Sequence, residues 1–154
     1  MGCAVRRLTG AFAAVALAGG FAAYVSSATA LAQDKDVVKS AWDGVYTDEQ
    51  ALRGEESYHK NCDACHQPDL TGSTQAPALA GDGVRQAWER QTVYELWNTV
   101  RTTMPQDNPA GLDSQSYVDI VAFLLKQNMF PAGTQELSKD AEALKQIRMS
   151  KEKN

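Results

Sequence analysis

The chain has 154 residues, 44% of them hydrophobic, with 15 basic and 19 acidic residues and a formal net charge of −4. An acidic balance of that size argues against nucleic acid and anionic membrane surfaces as partners. Residues 1–32 hold Arg6 and Arg7, an apolar run from Ala11 to Val25, then small residues, and no acidic side chain. This is the pattern of a secretory signal peptide. Ala30-Leu31-Ala32 fits cleavage before Gln33, with Ala28-Thr29-Ala30 as a second site. The alternative is an uncleaved membrane anchor, but Gly19, Gly20, Ser26 and Ser27 interrupt a stretch that is short for a span. Cleavage removes Cys3 and two of the basic residues, leaving 13 basic against 19 acidic and a net charge of −6. About 120 residues then remain, enough for one domain.

Residues 33–46 form an N-terminal extension ahead of the first helical pattern. Thr47 and Gln50 have the spacing of a capping box and predict a helix through Cys62, with Ala51, Gly54, Tyr58 and Cys62 on one face. Gly54 in that stripe allows another helix to approach closely. The helix ends in Cys62-Asp63-Ala64-Cys65-His66. Two thiols three positions apart, followed by an imidazole, is the attachment pattern of c-type haem. The thiols add to the haem vinyl groups, and His66 presents a ring nitrogen to the iron.

In the following loop, Gln75 to Gly81, Pro77 fixes a turn; it is either a simple loop proline or one whose carbonyl accepts the other imidazole proton, and the residues alone favour neither. A helix is expected around Asp82 to Trp88. Thr92 and Glu95 repeat the capping-box spacing and open another, with Val93, Leu96, Trp97 and Val100 on its buried side. Met104 follows it and precedes Pro105, which favours an extended backbone at Met104. A stiff loop of this kind can aim a thioether at iron, and Met/His ligation is the arrangement of cytochromes c. Asp113 or Ser114 caps a further helix carrying Val118, Ile120, Val121, Phe123, Leu124 and Leu125. Residues 129–154 are read as a tail with a last helix over Ser138 to Arg148. With no period-two alternation, the fold class is all-α.

Other readings of these residues carry less. A C-x-x-C pair also serves dithiol redox chemistry or half a zinc site, but the mature chain has two cysteines and two histidines and no βαβ pattern. His59 is a rival ligand, yet it lies on the tether's own helix and reads as a solvated surface side chain. Met129 reads as core or helix-end packing, and Met149 as part of a charged tail. Trp42, Tyr46, Trp88 and Trp97 offer aromatic cover for a large apolar ring.

From Thr47 to Asn128 the chain resembles the class I cytochrome c family: Gly54, Tyr58 and Cys62 on the first helix, Ile120 and Phe123 on the helix crossing it, Pro77 and Leu79 in the haem-facing loop, and Met104 as distal residue. The resemblance implies a helical fold around one haem c, covalent through Cys62 and Cys65, with His66 and Met104 on the iron and Pro77, Leu79 and Trp97 in the pocket. It further implies an electron carrier rather than an enzyme. Its partners would be redox proteins in the periplasm, a dehydrogenase as donor and an oxidase or another cytochrome as acceptor. The overall run, from Trp42-Asp43-Gly44-Val45-Tyr46-Thr47 to the tail, is also similar to small periplasmic cytochromes that accept electrons from quinoprotein dehydrogenases or sulfur-compound oxidoreductases. Two alternatives belong to other classes: a haem subunit docked to such a dehydrogenase, and a haem enzyme or ligand sensor, which requires a weak or absent Met104 bond.

Overall fold

The computed structural model describes residues 39–150; the expected signal peptide and the start of the extension lie outside the described residues. Six helices carry the fold: α1 (Asp48–Asn61), α2 (Asp63–His66), α3 (Asp82–Ala87), α4 (Val93–Thr103), α5 (Ser114–Gln127) and α6 (Ala141–Lys145). The all-α expectation holds. Two residues at each end of the described chain add a minimal parallel pair, β1 (Lys39–Ser40) with β2 (Ile147–Arg148).

The crossing of α1 and α5 is the frame. Residues Tyr117 to Leu125 of α5 are all buried, and Gly54 of α1 meets them where a Cβ would lie 1.9 Å from the Asp119 carbonyl oxygen. Only a hydrogen atom fits there. Full burial of each large apolar side chain contributes roughly 1.5–3 kcal/mol, whereas an exposed ion pair contributes about 0–1. Apolar packing therefore decides the crossing, and the Arg53 pair with buried Asp119, at 3.0 and 3.2 Å, serves mainly to keep that carboxylate satisfied.

Caps set the helix starts as the sequence indicates, with one exception. The Thr92 and Glu95 side chains close a complete capping box on α4, and Asp113 caps α5 by accepting from Gln115 and Ser116 backbone N–H groups. At α1 only half a box forms. Thr47 Oγ1 accepts from Gln50 N, but the Gln50 side chain turns inward and bonds both backbone groups of Leu137, at 2.6 and 3.0 Å. A fully buried amide facing an unpaired peptide group gains more there than at an exposed helix start.

The tail departs most from expectation. The helix predicted over 138–148 spans only Ala141–Lys145, capped by Asp140, after which Ile147, Arg148 and Met149 alternate buried, exposed, buried. That is strand periodicity, and pairing with β1 and with Thr92 takes the chain out of the helix. Met149, read as part of a charged tail, is 3% exposed; Met129, read as packing, is 71% exposed. Met129 occupies the left-handed position after α5 (φ 71°), where Met129 N bonds Lys126 O and Phe130 N bonds Leu125 O. This is a Schellman closure, whose inward hydrophobic contact comes from the next residue, Phe130.

Extension and tail are joined to the core rather than appended to it. Ala41, Tyr46, Phe130, Leu137, Leu144, Ile147 and Met149 share one buried cluster with Val93, Trp97 and Val121. Gly133 passes so close to Gly44 that a Cβ on it would lie 1.9 Å from the Gly44 carbonyl oxygen.

Candidate functional site

A cavity of about 1240 Å³ lies between α1, α2, the loop after it, α3, α4 and α5. Pockets for small ligands usually span about 300–1,000 Å³. Cys62, Cys65, His66, Pro77, Leu79 and Met104, all singled out from the sequence, line this one space.

Each is positioned by its element. Cys62 is the C-cap of α1, and its N–H bonds Tyr58 O; one turn of α2 then carries Cys65 and His66 round to the cavity. The Tyr58 hydroxyl donates to Gln67 O at 2.7 Å and the Ser73 hydroxyl to Cys65 O at 2.9 Å, clamping the chain on both sides of His66. His66 is 6% exposed, and its Nδ1 lies 2.8 Å from Pro77 O. A carbonyl can only accept, so Nδ1 carries a proton, and in the neutral ring Nε2 keeps its lone pair. The Pro77 loop is itself held: Leu79 N donates to Leu70 O, and buried Asn128 donates to Leu79 O and accepts from Gly81 N.

Met104 is the C-cap of α4, in the extended conformation expected before proline (φ −127°, ψ 150°). Its carbonyl accepts the Tyr117 hydroxyl at 2.8 Å, and Ala110 N bonds Arg101 O, closing the loop from 104 to 110 back onto α4. Asn128 and Tyr117 were missed from the sequence. Tyr117 lies on α5 and Asn128 caps its C-terminal end; polar groups beside an apolar run signal a buried partner, but nothing in the spacing says which one.

Trp97 does not line the cavity. On α4 the residues Leu96, Thr99, Val100 and Thr103 face it, at i, i+3, i+4 and i+7, and Trp97 is turned one step away into the core. Its ring packs on Tyr94 at 5.9 Å and under the Arg101 guanidinium at 4.8 Å. Trp88 does line the cavity, whereas Trp42 and Tyr46 stand behind Phe130. His59 is half-exposed and pairs with Asp63 across one helical turn at 3.1 Å.

The chemistry of the thiols separates the readings of C-x-x-C. Burial, with Asp63 and Cys65 adding, pushes the Cys62 thiol up to about 11. Dithiol redox sites work the other way, through a lowered thiol. Among the described residues no three His, Cys, Asp or Glu side chains come together as a metal site, which disfavours zinc. A large, mostly apolar cavity bearing two thiols, an imidazole with an available nitrogen and a thioether fits haem c.

Residues 49–124 match the family model described as cytochrome C oxidase, cbb3-type, subunit III. The chain belongs to the class I cytochrome c family. The match runs from the first turn of α1 to Leu124 of α5 and so spans the helix crossing, the C-x-x-C-H segment and Met104. No curated protein and no solved structure gives a significant match. As a cytochrome c, the protein binds haem covalently and transfers electrons. It is a carrier rather than a catalyst, and its partners are redox proteins.

Proposed function

We propose that this cytochrome is an exported monohaem electron shuttle of the periplasm, with His66 and Met104 as axial ligands. The observation that carries the reading is one cavity lined by Cys62, Cys65, His66 and Met104, in which His66 has committed Nδ1 to the Pro77 carbonyl. Bound there, haem c supplies a one-electron Fe(III)/Fe(II) couple. Cys62 and Cys65 hold the porphyrin through thioethers. His66 presents Nε2, its ring orientation set by Pro77 O. Met104 presents its sulfur from a loop tied to α5 through Tyr117. A haem held by both His66 and Met104 would leave no place for oxygen or another substrate at iron, and the residue types are those that would raise its potential. The apolar residues around them lower the local dielectric and favour the less charged ferrous centre. Export rests on the leader pattern of residues 1–32, and covalent haem attachment belongs to the same compartment. The net charge of −6 left after cleavage favours a basic docking patch on a dehydrogenase donor or on an oxidase or cytochrome acceptor, with rates that fall as salt rises.

An optical spectrum of the exported protein tests the ligands. A c-type spectrum with the weak sulfur-to-iron band in the far red is expected, and Met104→Ala should abolish the band, open the iron to carbon monoxide and lower the potential. A Met104→Ala protein with wild-type spin state and potential would remove Met104 from the iron. A docked haem subunit is the second reading, favoured because the matched family is itself described as an oxidase subunit. Salt-insensitive copurification with a larger enzyme would support it over the shuttle.

A further inference from the structure

The tail residues Phe130 and Met149 are 5% and 3% exposed, and both line the same cavity as His66 and Met104. Neither belongs to residues 49–124, where the family match lies. Met149 is fixed along its backbone, since its carbonyl accepts from Arg90 N at 3.0 Å and its N–H donates to Gln91 O at 2.8 Å. The N-terminal extension fastens both residues from behind. Trp42 Nε1 donates to the carbonyl of Ser150, next to Met149, at 3.1 Å, and the Trp42 ring packs on Phe130 with centroids 4.8 Å apart. The Tyr46 hydroxyl donates to Phe130 O at 2.6 Å, and Lys39 and Ser40 pair with Ile147 and Arg148.

We infer that Phe130 and Met149 form a haem-pocket wall supplied by the tail, and that Trp42 is the positioning residue that latches it. The inference rests on haem occupying this cavity. Two buried apolar side chains in its lining exclude water from it, and burial is one of the protein's levers on a haem potential. An aromatic ring and a polarisable thioether suit contact with a flat π system. The wall accounts for the depth at which a chain end with Arg148 and Lys151 on either side of Met149 and Ser150 is held.

The test uses the full haem-loaded protein, with potentials from equilibrium redox titration and the far-red band recorded in each variant. Met149→Gln, of similar length but polar, should lower the midpoint potential while the band is retained; Met149→Leu should leave the potential near wild type. Trp42→Phe keeps an aromatic ring against Phe130 but removes the indole N–H donor together with part of the ring surface. It should lower the potential by a smaller shift, and the double variant with Met149→Gln should fall short of additivity because both act on one wall. Equal potentials for Met149→Gln, Met149→Leu and wild type would overturn the wall. Should Met149→Gln fail to fold, an unchanged potential in Trp42→Phe overturns the latch. Loss of the far-red band in Met149→Leu, with the band kept in Met104→Ala, would put the Met149 sulfur on the iron and overturn the wall and the Met104 reading together. A band missing from wild type as well would fail the Met104 reading alone, since the difference between Gln and Leu at 149 still reports the wall.

Discussion

The attachment side of the cavity and the wall supplied by the tail are secured over very different lengths of chain. Around the C-x-x-C-H segment the side-chain bonds span 8 to 11 residues: Ser73 to Cys65, Tyr58 to Gln67 and His66 to Pro77. The side-chain bonds behind the wall span 84 to 108 residues: Tyr46 to Phe130, Gln50 to Leu137 and Trp42 to Ser150. Short closures cost little chain entropy and can form before the fold is complete, whereas distant ones form only when the core brings them together. The attachment side should therefore survive damage that loosens the wall, and that order suits a protein whose haem must be joined to the chain during folding.

The largest effect should come from Gly54→Val, because the α1–α5 crossing serves both regions. The added carbons meet the Asp119 backbone rather than a movable side chain. Stability should fall by at least about 1–3 kcal/mol, and haem attachment and tail packing should fail together in thermal melts and haem stain. If attachment persisted at full yield, the attachment side would be independent even of the crossing. Gln50→Leu should separate the regions. It removes both bonds to Leu137 and leaves two buried peptide groups unpaired, a loss of roughly 1–3 kcal/mol. Chemical denaturation should show that loss, with the tail exchanging amide protons faster while covalent haem yield stays at wild type. Tyr58→Phe acts on the other region by removing one bond to Gln67 O, about 0.5–1.5 kcal/mol. Its mark should be a changed His66 environment in the haem spectrum, with tail exchange unaltered.

The smallest effect concerns α5, which carries side chains used by both regions. Hydrogen bonding from the Ser116 hydroxyl and from backbone N–H groups holds the Asp113 carboxyl below the usual carboxylate range. A depressed folded pKa gives stability that is present above the unfolded value and lost as pH falls through the folded one. Asp113→Ala should therefore cost about 1 kcal/mol at neutral pH, and the gap to wild type should close as the solution is acidified below the ordinary carboxylate range. A gap constant with pH would mean that the cap acts through packing alone.

The sequence by itself determined the parts that depend on local spacing. C-x-x-C-H needs only one helical turn to bring two thiols and an imidazole to one surface, whereas spacing left Pro77 open as a simple loop proline and only the family resemblance implied its bond to His66. The extended backbone of Met104 follows from Pro105, the buried face of α1 from its apolar periodicity, and the burial of α5 from a run too apolar to face water. Trp97 marks the edge of that legibility. The period of α4 identifies its buried stripe but not which buried side chains meet the cavity and which meet the core. Only the tertiary structure decided the rest: Gln50 leaving its capping role for Leu137, Asn128 binding the Pro77 loop, and Met149 entering the cavity while Met129 turns outward. For Gln50, Asn128 and Met149 a partner far along the chain offered a buried bond or contact that outweighed the local preference, while Met129 is turned outward by the closure of α5 itself. Spacing along one chain carries no record of which distant groups will be left in need of a partner.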